Sequence, residues 1–416
     1  MKLLVFTHVP PPHHGQSYMV KLMLEGLGGD CRKTQNPTSN IRGPEIECYH
    51  VNARFSDDME DIGTFRVGKA LLVFRYCVEA VWCRFRYGAR AFYYVPAPGK
   101  RAALYRDWMV MILCRPFFRD FIHHWHASGL GDWLRAEGNF FERWLTHRLL
   151  GGPALGLALA IPGMRDALWF RSGKVEVLAN GIPDPYPDFD ALVLPRRRGR
   201  LAARRALLAG GPLTDAQRAE AGGDPETFRV LYIAHCMREK GLFDALEGVA
   251  RANATLRAAG SLLCLHLTVA GFFPFSDEEE EFKKRLGAPD VLGAVTYAGF
   301  VTGGPKDALL RASDCLCFPT YYHAESFGLV VVEAMAAGMA VVTTRWRAIP
   351  EILPADHPGF VAPQAPDAVA AALIEAFTFD GAAQLRHEFL TRFTEARYLD
   401  TLRAVFSGIS RETFLS

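Results

Sequence analysis

The sequence predicts an α/β protein with two doubly wound lobes that face each other across a cleft. Strand and helix patterns alternate along the chain, and the alternation starts again at Arg229 after a stretch rich in proline and arginine. The length of 416 residues corresponds to two or three domains, and an apolar fraction of 50% provides a core for each of them. A cleft between two such lobes is the expected place for a ligand.

The first lobe, residues 1–183, begins with a strand at Leu3 to Thr7, a proline-rich loop and a helix that opens at Gly15. Further strands are predicted at 91–95, 120–126, 155–160 and 174–179. Repeated β–α units of this kind are typical of a Rossmann-like lobe with a mostly parallel sheet. Ligand-binding loops are therefore expected where these strands end.

The clearest domain boundary follows Asn180-Gly181-Ile182. We interpret residues 184–228 as a hinge and an arginine-rich insertion. The run from Arg196 to Arg205 is predicted to be a solvated helix rather than a patch for nucleic acid or lipid headgroups. The second lobe, residues 229–395, has predicted strands at 229–235, 262–271, 295–300, 315–320 and 339–344, with helices between them.

The composition argues against several classes of protein. A formal net charge of +2 makes a nucleic-acid-binding arm an unexpected feature. The nine cysteines include no C-x-x-C pair, which fits a reducing cytoplasm. The N-terminal residues predict a strand rather than a signal peptide, and the longest apolar stretch, 149–161, is too short to span a bilayer. We therefore expect a cytoplasmic protein.

The segment from Phe65 to Arg90 mixes aliphatic and aromatic residues with basic ones, among them Arg75, Arg84 and Arg86. Two interpretations fit this basic amphipathic pattern. The segment is either a helix packed on a sheet with a basic edge toward solvent, or a surface that docks peripherally on an anionic membrane.

The most informative segment runs from Phe318 to Leu353. A strand is followed by a loop carrying Glu325 and by a helix whose first amides belong to Phe327, Gly328 and Leu329. Such amides bind phosphate groups because no carbonyl within the helix accepts from them. Glu333 lies in the middle of this apolar helix and needs a hydrogen-bond partner. The partner is either an arginine or backbone amide of the same lobe, or the hydroxyl groups of a sugar.

The spacing of Glu325 and Glu333, with Gly328 between them, resembles the E-x7-E motif of retaining glycosyltransferases of family four, which have the two-lobed GT-B fold. The resemblance extends over nearly the whole chain. It includes Gly15, Asn180-Gly181-Ile182, Lys240-Gly241, Gly299-Phe300 and Ile349-Pro350-Glu351.

For the second lobe, the resemblance implies that Glu325 binds hydroxyls of the transferred sugar and Glu333 the nucleotide ribose. The segment Phe327-Gly328-Leu329 would offer amides to the diphosphate, and Lys240 would neutralise its charge as the sugar leaves. Phe300 or its backbone would lie beside the base.

For the first lobe, the resemblance implies that Gly15 and Gln16 contact the donor and that His126 contacts its sugar near the reacting carbon. Alternation along the strand predicts that His124 and His126 share one face, with His123 and Trp125 on the other. A helix at about 396–416 is expected to pack back on this lobe, which would be the acceptor side.

The sequence departs from the family pattern before Lys240. Ala234-His235 stands where the family usually has Gly-Arg, so either His235 or Arg238 supplies the second cation for the diphosphate, or the leaving group is held less tightly. For a metal, Asp188-Phe189-Asp190 has no strand-end context, and the histidines lack acidic or cysteine partners. We expect no metal and no cofactor.

The sequence thus predicts a retaining hexosyltransferase that moves a sugar from a nucleotide diphosphate sugar to a hydroxyl of a glycan or lipid-linked acceptor. The implied setting is the synthesis of bacterial cell-surface polysaccharide or glycolipid. The protein is expected in the cytoplasm, either free or bound peripherally to the inner face of the membrane, and no nucleic-acid partner is expected. A non-catalytic nucleotide-sugar-binding scaffold is the alternative. A dinucleotide-dependent oxidoreductase is disfavoured because no strand is followed by G-x-G-x-x-G.

Overall fold

The computed structural model describes residues 1–11, 15–33, 46–55 and 67–412. The chain forms two compact units. The first comprises Met1–Gly181 together with Glu395–Ser416, and the second comprises Ile182–Thr394.

The first unit contains a six-stranded parallel sheet in the order β2-β1-β3-β4-β5-β6. Its strands are β1 (Lys2–Thr7), β2 (Glu47–Asn52), β3 (Ala91–Tyr94), β4 (Asp120–Trp125), β5 (Leu155–Ala158) and β6 (Lys174–Val177). The strand β2 was not predicted from the sequence. It has a polar residue at each end, Glu47 and Asn52, and between them a short run in which polar and apolar residues are mixed. The neighbouring strands β1 and β3 are almost wholly buried, as expected for a parallel sheet covered on both faces.

Helices of the first unit connect these strands. They are α1 (Gly15–Gly26), α2 (Val67–Tyr87), α3 (Arg101–Cys114), α4 (Leu130–Glu137), α5 (Phe140–Leu150) and α6 (Met164–Trp169), and the unit is completed by the C-terminal helix α16 (Glu395–Glu412). Leu399 of α16 packs directly on Gly26, where an added Cβ would lie 2.3 Å from a leucine methyl carbon. The Arg403 guanidinium donates to the Gly26 carbonyl oxygen at 2.8 Å. These contacts attach the last helix to α1.

The second unit contains another six-stranded parallel sheet, in the order β12-β11-β10-β7-β8-β9. Its strands are β7 (Thr227–Ile233), β8 (Cys264–Ala270), β9 (Val295–Gly299), β10 (Cys315–Phe318), β11 (Ala340–Thr344) and β12 (Phe360–Val361). Its helices are α7 (Leu194–Leu208), α8 (Asp215–Ala221), α9 (Leu242–Ala258), α10 (Ser276–Leu286), α11 (Gly303–Ala312), α12 (Leu329–Ala336), α13 (Ile349–Ile352), α14 (Pro366–Glu375) and α15 (Ala382–Arg392).

The arginine-rich segment differs from its prediction. Residues 184–228 are part of the second unit, and the α7 arginines are only partly solvated: Arg196, Arg198 and Arg205 are exposed, whereas the others are not. Arg200 and Arg204 are buried and donate to the Asp314 carboxylate, Arg200 through two bonds of 2.7 Å and Arg204 at 3.1 Å. Arg197 donates to the carbonyl oxygens of Ser313 and Ala337. The prediction failed because the sequence does not show that α7 faces a buried carboxylate.

Helix α2 has apolar residues on two faces. Its inner face packs in the core through Val73, Cys77, Ala80 and Cys83. Its outer face carries Leu71, Phe74, Val78, Trp82 and Phe85, each at least half exposed. Among the described residues, no single helix is long and apolar enough to span a membrane. Two consecutive helical segments, Pro366–Thr378 and Ala382–Arg392, are long and apolar enough when taken together, but they are bent sharply against each other.

Candidate active site

The loop after β10 lies at the carboxyl edge of the second sheet and is held from two sides. The Thr343 hydroxyl donates to the Phe318 carbonyl oxygen at 2.7 Å, and the Trp346 indole N–H donates to the Tyr322 carbonyl oxygen at 2.8 Å. From the turn after β7, the Glu239 carbonyl oxygen accepts the amide hydrogen of Tyr321 at 2.8 Å. The loop therefore presents Glu325 from a fixed backbone.

Glu325 and Lys240 form an ion pair, with 2.6 Å between Lys240 Nζ and Glu325 Oε2. Both side chains are largely buried. Gly241 makes the approach possible, because it has φ +81° and an added Cβ would lie 2.4 Å from the Pro319 carbonyl oxygen. The structure thus brings together Glu325 and Lys240, two of the three residues, with His126, that the resemblance places at the transferred sugar and its leaving group.

Glu333 is paired with Lys306, with 2.6 Å between Lys306 Nζ and Glu333 Oε1. The sequence analysis expected an arginine, a backbone amide or a sugar as the partner, so this lysine was missed. Lys306 lies on α11, which follows β9, and its contact with α12 joins positions 27 residues apart. No local spacing marks such a pair.

Helix α12 begins at Leu329, and the residue before it, Gly328, is its N-cap and has φ +88°. The first amides of the helix have no acceptor within it. Leu329 is half-buried at this end, whereas the Phe327 ring is buried in the core 6.1 Å from the Phe393 ring. Any ligand contact from Phe327 would thus come from its backbone.

Three aromatic rings form a row at the same sheet edge. His235, Phe272 and Phe300 follow β7, β8 and β9, with 4.6 Å between the first two ring centroids and 5.8 Å between the last two. Gly271 allows this approach, because it has φ +149° and an added Cβ would collide with the Ala234 carbonyl oxygen. Phe300 is 55% exposed and can meet a ligand. Phe272 was missed, although its place directly after a predicted strand was a usable signal.

The two candidates for the second diphosphate cation have different surroundings. The Arg238 guanidinium pairs with the Glu281 carboxylate on α10, and the Arg238 backbone N–H donates to the Glu278 carboxylate at 3.1 Å. His235 packs on Phe272 instead. Arg238 is therefore already occupied by acidic partners.

In the first unit, the histidines of β4 alternate as predicted. His126 Nε2 lies 3.1 Å from His124 Nδ1, which is also 2.5 Å from the Tyr93 hydroxyl. His123 lies with Trp125 on the other face, and burial lowers the pKa of His123 to about 3. The His123 imidazole is therefore neutral at ordinary pH.

The other first-unit candidates lie at the start of α1. Gly15 is its first residue and is exposed, and Gln16 is half-buried. His13 and His14, which precede them in the sequence, fall outside the described residues. No group of three or more histidine, cysteine, aspartate or glutamate side chains suited to a metal ion occurs in the described part of the chain.

Residues 214–392 match the sequence model of the family Glycosyl transferases group 1. The chain carries a group 1 glycosyl transferase domain. The match covers most of the second unit, including both Lys–Glu pairs. It confirms the family resemblance predicted from the spacing of Glu325 and Glu333.

Curated relatives of this chain are glycosyltransferases by name. Phosphatidyl-myo-inositol mannosyltransferase of Mycolicibacterium smegmatis is 36% identical over 119 residues, which are 28% of this chain and 29% of that protein. D-inositol 3-phosphate glycosyltransferase of Pseudarthrobacter chlorophenolicus is 34% identical over 31% of this chain and 29% of its own length. The amylovoran biosynthesis glycosyltransferase AmsK of Erwinia amylovora is 27% identical over 42% of this chain and 44% of its own. The chain thus spans under a third of the first two relatives.

Solved structures match nearly the whole length of the chain. Anabaena HepE, crystallised with UDP and glucose, has a TM-score of 0.62 at 15% identity, covering 97% of this chain and 99% of HepE. Sucrose-phosphate synthase from Thermosynechococcus elongatus has a TM-score of 0.65 at 16% identity, covering 99% and 100%. At this identity the likeness concerns the fold, and it confirms the predicted α/β architecture of GT-B with two sheet-containing units.

Proposed function

We propose that this protein is a retaining hexosyltransferase that transfers a sugar from a nucleotide diphosphate sugar to a hydroxyl group of a larger acceptor. The observation that carries the proposal is the pair of lysine–glutamate contacts at one sheet edge. Glu325 and Glu333 flank the N-terminus of α12, and each lies 2.6 Å from a lysine nitrogen. Carboxylates suit sugar hydroxyls, whereas lysines and helix amides suit phosphates.

The reaction exchanges one bond for another at the anomeric carbon of the sugar. The bond to the diphosphate oxygen breaks, a bond to the acceptor oxygen forms on the same face, and the departing oxygen takes the acceptor proton. In the structure the Lys240 ammonium is neutralised by Glu325. When donor binds, Lys240 contacts the diphosphate and Glu325 the sugar hydroxyls. The lysine and the α12 amides stabilise the leaving charge, so the proposed mechanism needs no metal.

The donor part of the site lies in the second unit. The base would lie on the row formed by His235, Phe272 and Phe300, with Glu333 at the ribose. Because the similar HepE structure contains UDP and glucose, UDP is the first nucleotide to test.

The first unit would supply the acceptor side, with His126 near the reacting sugar. The outer face of α2 supports a lipid-linked acceptor at the inner face of the cytoplasmic membrane. It combines a helical stripe of five exposed apolar side chains with the exposed Arg75 and Arg86. Such a stripe binds an anionic bilayer by burying apolar area and pairing arginine with phosphate headgroups.

Vesicle binding tests this surface. We expect the protein to sediment with phosphatidylglycerol vesicles and not with phosphatidylcholine vesicles, and we expect binding to fall when Arg75 and Arg86 are replaced by alanine. Arg84 is left intact because its Nε donates to the Phe117 carbonyl oxygen at 2.9 Å. No sedimentation of the unaltered protein with either vesicle would refute membrane docking.

Calorimetric binding of UDP, GDP and ADP in EDTA tests the donor site, with Glu333→Ala as the control variant. We expect one nucleotide to bind without metal and Glu333→Ala to weaken it. Product analysis by NMR then tests retention, because an inverted anomer would refute the proposed stereochemistry. Failure of the folded protein to bind any nucleotide would refute the donor site.

A non-catalytic nucleotide-sugar-binding scaffold is a second candidate. It is favoured by Arg238, whose guanidinium is held by Glu281 instead of facing the leaving group. Nucleotide release that depends on an added acceptor would exclude this candidate, and tight binding without release would support it.

A further inference from the structure

We infer that Lys306 is a second ribose-binding residue and that Lys306 and Glu333 read the ribose hydroxyls together. This inference rests on the proposed donor site, and it extends that site by a residue from a different helix. The sequence motif supplies the carboxylate alone, whereas the structure adds an ammonium group beside it.

The geometry leaves both groups of the pair with unused hydrogen-bonding capacity. Lys306 Nζ donates to Glu333 Oε1 at 2.6 Å, and an ammonium group has three hydrogens. No residue within the described ranges donates a hydrogen bond to Glu333 Oε2. The side chains are 28% and 16% exposed, so a small ligand can reach them while much of their surface stays away from water.

The backbone that carries Lys306 is held firmly. The Tyr186 hydroxyl donates to the carbonyl oxygen of Asp307, the next residue, at 2.8 Å. At the other end of α11, Arg311 pairs with Asp188 at 3.0 Å. Tyr186 and Asp188 belong to the segment predicted as a hinge, so this segment fixes α11. The Lys306 ammonium is therefore preorganised rather than recruited by the ligand.

A ribose diol matches the pair because each hydroxyl is both a donor and an acceptor. One hydroxyl donates to the free oxygen of Glu333, and a ribose oxygen accepts from Lys306. A sugar lacking one hydroxyl leaves a partly buried charged group without its partner, which a site of this kind rejects strongly. A purely structural salt bridge between α11 and α12 would instead be indifferent to the ribose hydroxyls.

The test compares binding of UDP and GDP with that of their 2′-deoxy and 3′-deoxy analogues, measured by calorimetry in EDTA. The variants are Lys306→Met, which keeps the length of the side chain, and Lys306→Arg, which keeps its charge. Lys283→Met is the matched control, because Lys283 Nζ also lies 2.6 Å from a glutamate, Glu279, but is 64% exposed.

We expect the unaltered protein to prefer the ribonucleotide over at least one deoxy analogue by about tenfold or more. Lys306→Met should bring that ratio close to one, Lys306→Arg should retain part of it, and Lys283→Met should leave it unchanged. An undiminished ratio in folded Lys306→Met would overturn the inference, as would equal binding of ribose and deoxyribose forms by the unaltered protein. If Lys306→Met does not fold, Lys306→Gln replaces it under the same criterion.

The failure of the broader proposal gives a different result. If the unaltered protein binds none of these nucleotides, the donor site itself is refuted. If it binds ribonucleotides selectively and Lys306→Met does so equally well, the donor site stands and the role of Lys306 is refuted.

Discussion

The two ends of β10 carry carboxylates with nearly the same burial and very different hydrogen bonding. Asp314 precedes the strand and Glu325 follows it in the next loop, and their side chains are 4% and 9% exposed. Asp314 accepts three hydrogen bonds from Arg200 and Arg204 and one from the Arg229 backbone N–H. Glu325 accepts one from Lys240, counted over the described residues.

This difference shows that burial alone does not distinguish a carboxylate held by its own unit from one proposed to bind a ligand. An ionised carboxylate offers about four acceptor positions. Those of Asp314 are filled by its own unit, so the group stabilises the fold. Within the described ranges, most acceptor positions of Glu325 are unused, which fits the proposed binding of a sugar, and the carboxylate is paired with a flexible lysine that can also contact a phosphate.

The largest expected effect is at the carboxyl end of β10. Glu325→Ala and Lys240→Ala should each lower kcat by about 10³-fold or more, because each removes a group that acts on the transferring sugar or the leaving diphosphate. Steady-state nucleotide release measures this, with circular dichroism to verify the fold. Near-normal turnover in both variants would contradict the assigned roles.

At the amino end of the strand, the expected effect is on stability. Asp314→Asn leaves two buried guanidinium groups without a countercharge and should lower the free energy of unfolding by about 3–5 kcal/mol. Urea denaturation measures the loss. Asp367→Asn is the matched control, because the Arg251–Asp367 contact of 2.6 Å is solvent-exposed and should contribute about 0–1 kcal/mol. Equal losses in the two variants would contradict the distinction.

The same aspartate should make stability depend on acid. Burial by itself would raise the pKa of Asp314, but the hydrogen bond from Arg200 and the charges of Arg204 and Arg200 outweigh it, so the pKa is lowered. Its contribution is therefore complete above the unfolded-state pKa of about 3.9 and is lost as the pH falls through the lower folded-state pKa. The difference in unfolding free energy between the unaltered protein and Asp314→Asn should narrow as the pH drops from about 5 to about 2. A difference that stays constant over this range would refute the prediction.

The smallest effect should come from the aromatic row at the same sheet edge as Glu325. Phe272→Ala should weaken nucleotide binding about three- to tenfold with little change in kcat, because it removes a ring next to Phe300 and no group at the reacting carbon. Calorimetry and kinetics separate the two quantities. Phe275→Ala is the control, because Phe275 is a half-exposed phenylalanine three residues further along that precedes α10 outside the row. Equal weakening by both variants would exclude a specific role for the row.

The sequence predicted the two α/β units because the alternation of strands and helices reports how apolar residues are buried. It also predicted Glu325, Glu333 and Lys240, since the first two are linked by a fixed spacing and the third by a lysine–glycine turn after a strand. It did not predict Lys306 or Phe272. Lys306 lies on the helix after β9 and Phe272 follows β8, so only the pairing of strands in the sheet places them beside the segments that the motif marks. It also misjudged α7, because a run of arginines has the same composition whether it faces solvent or a buried aspartate.

The sequence by itself determined the fold class through the periodicity of its segments, and it indicated the family resemblance and the two carboxylates of the proposed donor site through the spacing of a motif. The tertiary structure alone decided the partner of each carboxylate: Lys240 for Glu325, Lys306 for Glu333, and Arg200 with Arg204 for Asp314. Electrostatic partners are set by distances of a few ångströms between elements far apart in the chain. Only the packed sheet and its helices fix those distances. The same packing therefore decides which carboxylate is enclosed by arginines, as Asp314 is, and which ones are paired with a single lysine, as Glu325 and Glu333 are within the described residues.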